Sequence, residues 1–276
     1  MNESFERHLA EYLNRQRDCL ISEAMKYALE GGKRFRPFVI FSIMKGMDIP
    51  EERGYDAAMA LELIQTYSLI HDDLPAMDND DMRRGKPSLH KAFREDIAIL
   101  TGDELLTDAF GVIAQSSSYD DPTKVKMITC LSRYSGSDGM IYGQLLDVTS
   151  DSEHIDEKKL IEIQENKTAG LFKIACLFPM YIASLDKEEY FTGLGSRIGR
   201  IFQNQDDLFD LIKSEKEMGK NLSDQKNNKG TALSIYSRKQ LEEKIEEQFK
   251  ELDLYLKDAP FHTETLSKLL KKLKER

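Results

Sequence analysis

The chain has few cysteines and no long apolar run, and each scarcity argues against a class of protein. Its three cysteines, Cys19, Cys130 and Cys176, are odd in number and widely spaced, which indicates neither a disulfide framework nor a zinc site. The longest uncharged run, residues 174–185, has 12 residues, whereas a membrane-spanning helix needs about 20. We therefore predict that the chain has no membrane span.

Positive charge is also in short supply. The chain has 39 Lys and Arg against 49 Asp and Glu, for a net charge of −10. A nucleic-acid surface concentrates Lys and Arg against phosphates, so this balance predicts no nucleic-acid partner. The first seven residues lack the apolar core of a signal peptide. We expect a cytoplasmic protein.

Proline is rare as well, with seven in 276 residues, and long stretches carry a 3.6-residue apolar period. This pattern predicts an all-α protein. Strand alternation and Pro/Gly/Ser-rich linkers are absent, so residues 1–276 are predicted to form a single domain. The expected helices cover about residues 3–30, 36–45, 53–73, 93–117, 122–147, 157–166, 168–183, 187–213, 231–256 and 262–275.

Two acidic clusters, at residues 72–78 and 205–210, each follow an apolar helical run and lie more than 130 residues apart. An exposed pair of carboxylates on a helix costs only about 0.2–0.5 kcal/mol, so one cluster alone would favour a solvated surface. Two clusters in apolar contexts favour a cation site instead. Mg²⁺ prefers oxygen ligands and usually binds through one or two carboxylates plus substrate phosphates.

Helix geometry gives the second cluster a common face. Gln203, Asp206 and Asp210 follow each other in steps of three and four residues, which places them on one stripe of a helix. Apolar residues occupy the adjoining arc, which we expect to pack inward. The polar stripe is therefore predicted to border buried surface, as the wall of a cavity does.

The first cluster needs a break in its helix. On a regular helix Asp72 and Asp78 would lie about 120° apart. Pro75 lies between them, removes a backbone donor and disturbs the preceding turn. We expect the helix to end near Asp73 and the following loop to bring Asp78 back beside Asp72.

Five blocks of the chain resemble motifs of the trans-isoprenyl diphosphate synthase family, in the family's order, and within it the bacterial farnesyl diphosphate group. Alone, the glycines of the first block are compatible with an ordinary helix C-cap, and the Arg-Arg-Gly of the second with a solvated turn. Together they cover roughly residues 25–232 and are very specific. The blocks are Gly-Gly-Lys-Arg-Phe-Arg-Pro at 31–37, the aspartate-rich stretch with two extra residues at 67–85, Gly-Gln-Leu-Leu-Asp at 143–147, Lys-Thr at 167–168 and Phe-Gln-Asn-Gln-Asp-Asp-Leu-Phe-Asp at 202–210.

The resemblance implies an all-α isoprenoid synthase fold, with about ten or more helices around a deep central cavity, usually in a homodimer. It also implies a reaction in which an allylic diphosphate (dimethylallyl or geranyl) ionises and isopentenyl diphosphate attacks the allylic cation head-to-tail. A proton is then lost to give farnesyl diphosphate. The implied cofactor is Mg²⁺, with up to three ions bound together with the substrate diphosphate.

Carried over position by position, the resemblance assigns roles to individual residues. The residues implied for Mg²⁺ are Asp72, Asp73, Asp78, Asp206 and Asp210. Those implied for isopentenyl diphosphate are Gly32, Lys33, Arg36, Gln65 and Arg84. Those implied for the allylic diphosphate are Arg83, Lys167 and Lys220. Those implied to lie near the developing cation are Lys167, Thr168 and Gln203.

The chain departs from the family's pattern near two of these positions. The family usually has a glycine near Leu222 and a tyrosine where this chain has Ala232. Leu222 lies two residues after Lys220 and Ala232 three residues after Lys229, so the departures most weaken the carry-over of family roles to these two lysines.

Product length is the least determined property. The family's floor residue, five positions before the first aspartate, is Tyr67, with Ser68 beside it. An aromatic residue there, with the two-residue insertion, resembles the type that makes C15 products. A geranylgeranyl (C20) or geranyl (C10) diphosphate synthase is the alternative. A terpene cyclase would be expected to carry an Asn/Ser/Glu motif at 206–210, and a non-catalytic partner subunit to have lost its carboxylates.

Overall fold

The computed structural model describes residues 3–150, 155–218 and 232–275. These residues are almost entirely helical, so the predicted all-α fold is confirmed. Their α-helices, numbered in chain order, are α1 (Glu3–Arg15), α2 (Leu20–Leu29), α3 (Phe35–Gly46), α4 (Tyr55–Asp72), α5 (Leu89–Ala92), α6 (Glu95–Gln115), α7 (Asp121–Ser135), α8 (Met140–Thr149), α9 (Glu157–Ile163), α10 (Ala169–Ile182), α11 (Glu188–Met218), α12 (Arg238–Tyr255) and α13 (Glu264–Lys274).

Helices α4 and α10 are the most enclosed part of the fold. Every residue from 57 to 64 in α4 is buried, and so is almost every residue of α10. A helix that is apolar on all sides requires neighbours on all sides. Helix α4 packs on α6 and α3, and α10 packs on α11, α3 and α7. Their buried side chains belong to one hydrophobic core.

The end of α4 matches the expectation drawn from Pro75. Asp73 is the C-cap residue, and its amide still donates to the carbonyl of Leu69 at 3.1 Å. The chain then turns back, and the amide of Asp78 donates to the carbonyl of Asp72 at 2.8 Å. The loop therefore brings these two aspartates together, as predicted.

Two of the predicted helices are wrong, because the structure has two shorter helices in place of each. The helix expected at 3–30 breaks at residues 16–19, where the Ser22 hydroxyl donates to the Cys19 carbonyl at 2.8 Å and competes with helical bonding. The helix expected at 122–147 breaks at residues 136–139, a turn that begins and ends with glycine. Glycine loses more conformational entropy than any other residue when it is held in a helix, so a helix readily ends there.

The last long helix also begins later than expected. Helix α12 starts at Arg238 rather than near 231, because Ser237 and Gln240 form a capping box. The Ser237 amide donates to Oε1 of Gln240 at 2.9 Å, and the Gln240 amide donates back to the Ser237 hydroxyl at 3.4 Å. A 3₁₀ turn at Ala232–Ser234 precedes this cap.

A small antiparallel hairpin contradicts the expectation of no strands. Strand β1 (Met82–Arg83) pairs with β2 (Lys86–Pro87) through a two-residue turn. The turn residues Arg84 and Gly85 both have positive φ, at 54° and 79°, as a type I′ turn requires. The usual Asn-Gly signal is missing here, which is why the sequence did not indicate a hairpin.

Contacts with α2 hold this hairpin in place. The Tyr27 hydroxyl donates to the carbonyl of Pro87 at 2.8 Å, and Lys86 Nζ donates to the carbonyl of Tyr27 at 2.6 Å. The guanidinium of Arg84 donates to the carbonyl of Ala28 at 2.9 Å. The hairpin therefore delivers Arg84 to the end of α2, beside the loop that opens the first family motif.

Within the residues that the structure describes, none of the helices has both the length and the apolarity that crossing a lipid bilayer demands.

Close packing of α8 against the segment at 164–168 generates a stability prediction. A Cβ atom on Gly143 would lie 2.0 Å from the backbone nitrogen of Lys167. We expect Gly143→Ala to lower the free energy of unfolding by about 1–3 kcal/mol, the usual cost of overpacking. Urea denaturation measures this change.

Gly111 of α6 is the matched control. A Cβ atom there meets only Gln115 Nε2, at 3.5 Å. Gly111→Ala is expected to stabilise the protein by about 0.4–1 kcal/mol, because alanine reduces the freedom of the unfolded chain. Equal effects at the two glycines would contradict the packing argument.

Candidate active site

A cavity of about 880 Å³ opens between α3, α4, α8 and α11. Its size is typical of sites that enclose a small organic ligand. It is lined by Gly31, Lys33, Arg34, Phe35, Arg36, Glu62, Gln65, Tyr67, Ser68, Leu69, His71, Asp72, Met77, Arg84, Met140, Ile141, Gln144, Leu145, Val148, Lys167, Thr168, Phe202, Gln203 and Asp206.

Carboxylates from two helices reach this cavity. Asp72 is the last residue of α4, Asp206 lies in the middle of α11, and both side chains line the wall. Gln144 of α8 donates from Nε2 to Oδ1 of Asp72 at 2.8 Å. The structure thus brings together the leading aspartates of the two acidic clusters.

The other predicted acidic residues lie around this pair. Asp78 sits beside Asp72 through its backbone, and Asp210 lies one helical turn beyond Asp206, where it is exposed. Among the described residues, the cavity wall includes neither of them and also lacks Asp73.

Asp73 is instead held in an ion pair. Its carboxylate is 2% exposed and accepts hydrogen bonds from Arg83, with Nε at 2.9 Å from Oδ1. Burial raises the pKa of Asp73, although the hydrogen bond and the charge of Arg83 partly offset that rise. Arg83 also contacts Asp80 at 3.2 Å. The structure therefore separates Asp73 and Arg83 from the cavity wall.

Arg36 contributes a positive charge to the cavity wall. Its guanidinium stacks on the rings of Phe172 and Phe202, at 4.6 and 5.4 Å from their centroids. Burial lowers the pKa of Arg36 to about 10, against the attraction of Glu62 and Asp206. Its buried Nε has no hydrogen-bond partner among the described residues. A buried cation with an unused donor is suited to binding an anion.

Glu62 organises the arginines and was missed by the sequence analysis. It is 4% exposed and accepts a hydrogen bond from Arg34 at 2.7 Å, while Arg84 lies 3.7 Å away. Burial lowers the pKa of Arg84, against the opposing charge of Glu62. A signal was available, since Glu62 is the one charge in an apolar helical run and lies three residues before Gln65.

The remaining residues assigned to isopentenyl diphosphate are close by. Lys33 and Gln65 line the cavity. Gly32 is buried next to the arginine cluster, where a Cβ atom would lie 2.4 Å from Nη1 of Arg34 and 2.9 Å from Glu62. The glycine therefore lets the backbone approach Arg34. Lys220 lies outside the described residues.

A π-helical turn, Gln164–Thr168, contributes Lys167 and Thr168 to the cavity wall. Lys167 is ion-paired with Asp147 of α8, and the Thr168 hydroxyl donates to Oε1 of Gln203 at 2.5 Å. Gln203 in turn donates to Oδ1 of Asp207 at 2.8 Å. Lys167, Thr168 and Gln203 thus face the cavity together, as the family motifs imply.

Asp207, the second carboxylate of the later cluster, is buried in structural contacts and does not line the cavity. Asp207 is 7% exposed, and besides Gln203 it accepts a hydrogen bond from the amide of Ala232 at 2.8 Å. Burial raises the pKa of Asp207, and these two hydrogen bonds oppose the rise. Asp207 therefore links the site residue Gln203 to the backbone at Ala232.

Apolar side chains cover the rest of the wall. Tyr67 is 5% exposed and packs edge-on against His71, with ring centroids 5.7 Å apart. Its hydroxyl is buried and has no hydrogen-bond partner among the described residues. Helix α8 contributes Ile141, Leu145 and Val148. The cavity thus combines charged side chains with an apolar wall.

Within the described ranges, no three or more metal-binding side chains cluster closely enough to form a site by themselves. The acidic residues at the cavity are carboxylates, which offer the oxygen atoms that Mg²⁺ prefers. Any such ion therefore needs further ligands from a bound molecule or from water.

The ion pair of Asp73 with Arg83 predicts unequal effects for two aspartates that contact the same arginine. Asp73→Asn is expected to lower the free energy of unfolding by about 1–3 kcal/mol, because it removes the buried partner of Arg83. Asp80 has a 45% exposed side chain, and Asp80→Asn is expected to cost about 0–1 kcal/mol. Thermal unfolding of both variants checks the difference, and a larger loss at Asp80 would contradict it.

Comparison with curated proteins finds relatives over most of the chain. It is 37% identical over 237 residues to a farnesyl diphosphate synthase of Bacillus subtilis, covering 84% of this chain and 80% of the relative. It is 40% identical over 209 residues to the chloroplastic heterodimeric geranylgeranyl pyrophosphate synthase large subunit 1 of Arabidopsis thaliana, covering 72% and 56%. Of the three product classes considered from the sequence, the C15 and C20 classes are thus represented among these relatives.

Solved structures show the same fold. A geranyltransferase from Legionella pneumophila is 35% identical, with a TM-score of 0.85 and coverage of 99% of this chain and 94% of that one. A geranyltransferase from Helicobacter pylori, described as complexed with magnesium and isoprenyl diphosphate, is 27% identical, with a TM-score of 0.84 and coverage of 99% and 96%. The isoprenoid synthase fold implied by the motifs is thereby confirmed.

The family model described as Polyprenyl synthetase matches residues 18–273. That match takes in both acidic clusters, the arginine-rich loop and the π-helical turn around the cavity. This chain belongs to the polyprenyl synthetase family.

Proposed function

We propose that this protein is a short-chain prenyltransferase that condenses isopentenyl diphosphate with dimethylallyl and geranyl diphosphates to give farnesyl diphosphate. One observation carries the proposal. A single cavity has carboxylates of two distant helices, Asp72 and Asp206, near one rim and the cation of Arg36 within it, above an apolar wall. That arrangement suits a substrate with a diphosphate head and a hydrocarbon tail.

The donor set fits Mg²⁺, and Asp72 and Asp206 are the residues proposed to bind it, with Asp78 and Asp210 at the mouth. The absence of a preformed three-ligand cluster among the described residues is compatible with ions that take their other ligands from substrate phosphates and water. The magnesium in the Helicobacter pylori relative supports this cofactor, and we propose up to three ions. Bound Mg²⁺ would stabilise negative charge on the departing diphosphate.

The arginines and lysines are proposed to hold two diphosphates. Arg36 and Arg84, which share Glu62 as a counter-charge, would bind isopentenyl diphosphate together with Lys33, Gln65 and the backbone at Gly32. A planar guanidinium offers two parallel donors to phosphate oxygens. Lys167, which lines the cavity, is proposed to hold the allylic diphosphate together with Arg83 and Lys220. Arg83 would have to leave its ion pair with Asp73 to do so.

The proposed reaction takes place beside the part of the wall that carries Lys167, Thr168 and Gln203. The allylic C–O bond breaks and its electron pair leaves with the diphosphate. The double bond of isopentenyl diphosphate attacks the allylic carbon, and a proton passes to the released diphosphate. The oxygens of Thr168 and Gln203 stabilise positive charge on the hydrocarbon, and the apolar wall excludes water.

Residues 1–276 are proposed to act as one domain in a homodimer. The single buried core supports the first part. The exposed apolar side chains of Ile99 and Leu100 on α6, at 39% and 53% exposed, support the second, since a partner helix would cover them.

Removing either leading carboxylate is expected to abolish most of the activity. Asp72→Asn and Asp206→Asn should each lower kcat by about 100-fold or more, because the charge on the leaving group loses its stabilisation. Chelation with EDTA should have the same effect, reversed by added Mg²⁺. The measurement is product formation from radiolabelled isopentenyl diphosphate and geranyl diphosphate.

Asp121→Asn is the control for these variants, because that carboxylate is 96% exposed at the start of α7. It should retain wild-type activity. A wild-type protein that makes no prenyl product with Mg²⁺ would sink the proposal and favour a non-catalytic subunit. Wild-type activity in Asp72→Asn would remove that aspartate from the mechanism.

Tyr67 is proposed to set the floor of the cavity. One helical turn rises about 5.4 Å, comparable to one isoprene unit, so removing this ring should let the chain grow further. Tyr67→Ala is expected to shift products beyond C15, as sized by chromatography. Tyr67→Phe is the matched control, because the hydroxyl has no partner and the ring is kept. Products of unchanged length in Tyr67→Ala would exclude this role, and mainly C20 product from the wild type would favour a geranylgeranyl synthase.

A further inference from the structure

Three buried or half-buried amide side chains form a chain of hydrogen bonds behind the cavity wall. Gln164 donates from Nε2 to Oδ1 of Asn204 at 2.7 Å, and Asn204 donates from Nδ2 to Oε1 of Gln248 at 3.0 Å. Gln164 is 3% exposed and Asn204 is 1% exposed. Together they join the π-helical turn to α11 and α12. Asn204 lies within the motif at 202–210 but received no role from it, and Gln164 and Gln248 lie outside the motifs.

The position of this amide chain relates it to the reacting groups. Gln164 begins the π-helical turn, and Thr168 ends it. Asn204 directly follows Gln203 on α11. The turn is therefore joined to α11 by three side-chain contacts. Gln164 bonds to Asn204 away from the cavity, Thr168 bonds to Gln203 facing it, and the Ser196 hydroxyl donates to the carboxylate of Glu165.

The turn needs such support. A π-helical turn is rare and is less favourable than a regular α-helix, and it persists only where its surroundings stabilise it. On the α8 side, Gly143 and the ion pair of Lys167 with Asp147 supply contacts. On the α11 side, Asn204 accepts a buried hydrogen bond from Gln164, and Ser196 donates a half-buried one to Glu165.

We propose that Asn204 is a positioning residue, which fixes the π-helical turn through Gln164 so that Lys167 and Thr168 face the allylic substrate. Its partner Gln248 extends this link to α12, on the side of α11 away from the cavity. The proposal rests on the proposed function, because it takes the roles of Lys167 and Thr168 from it. It adds residues that contact no substrate.

Stability and positioning can be separated by a paired substitution. Asn204→Leu alone leaves the Gln164 amide buried without its partner, so it should lower the melting temperature. Replacing both amides, in Gln164→Leu/Asn204→Leu, leaves no fully buried amide without a partner, because Gln248 is half-buried and can bond to water. This double variant should therefore recover much of that temperature. The hydrogen bond from Gln164 to Asn204 is lost in both variants, whereas the contacts of Thr168 with Gln203 and of Glu165 with Ser196 remain.

The expected result is a split between stability and catalysis. The double variant should melt near the wild type, with kcat about 10- to 100-fold lower, since displacements near 1 Å cost this much. The KM for isopentenyl diphosphate should stay within about twofold of wild type, because that site is on α3, α4 and the hairpin. The exchanged pair Gln164→Asn/Asn204→Gln keeps an amide–amide bond and should recover most of the lost kcat.

Hydrogen–deuterium exchange gives a readout that does not need activity. Peptides covering residues 164–168 should exchange faster in Gln164→Leu/Asn204→Leu than in the wild type, while peptides of α4 should not change. Thr101→Val is the matched control. Its side chain is 0% exposed and its hydroxyl donates to the Ile97 carbonyl at 2.7 Å, so it loses a buried hydrogen bond far from the turn. It should lower the melting temperature without changing kcat.

Several outcomes would overturn the proposal. Wild-type kcat in the double variant, with the wild type itself active, would show that the amide chain is merely structural. Unchanged exchange at 164–168 would show that Asn204 does not fix the turn. Failure of the wild type to make any prenyl diphosphate would instead remove the proposed function on which this inference rests.

Discussion

The buried ion pair of Arg34 with Glu62 is the interaction on which the cavity depends. Arg34 is 4% exposed and also binds Glu6, so one guanidinium joins α1, the start of α3 and the centre of α4. Removing one partner of such a pair leaves an uncompensated buried charge, which is far more costly than losing an exposed pair. The same Glu62 lies near Arg84 and attracts Arg36. A structural ion pair and the proposed diphosphate site thus share one carboxylate.

The part of the cavity wall formed by residues 164–168 depends on backbone conformation rather than on a cluster of charges. A π-helical turn carries Lys167 and Thr168 to the cavity, and Gly143 lets α8 pack directly on its backbone. Side chains of α11 then bind the turn from the other side through Gln203 and Asn204. The two walls therefore differ in kind. One gathers cations around a buried carboxylate, and the other holds a rare backbone conformation between two helices.

The sequence predicted the helical elements well where the apolar period was strong and poorly where a side chain redirected the backbone. Helices α4 and α10 were expected within a few residues of their bounds. The break at 16–19 was missed because it involves a local bond from Ser22 to a carbonyl, which leaves the apolar period intact. The hairpin was missed because Arg84 adopts a left-handed conformation that contacts with α2 support. Such contacts are visible only once the helices are packed.

By itself the sequence determined the helical class, the family and the set of charged residues available to the site. Only the tertiary structure decided which of two neighbouring charges enters the cavity. Asp72 lines the cavity while Asp73 is buried against Arg83, and Arg84 lines the cavity while Arg83 does not, among the residues described. Successive residues on a helix point about 100° apart. The rotation of α4 against its neighbours and the anchoring of the hairpin on α2 therefore make that choice, and neither is encoded in a local pattern.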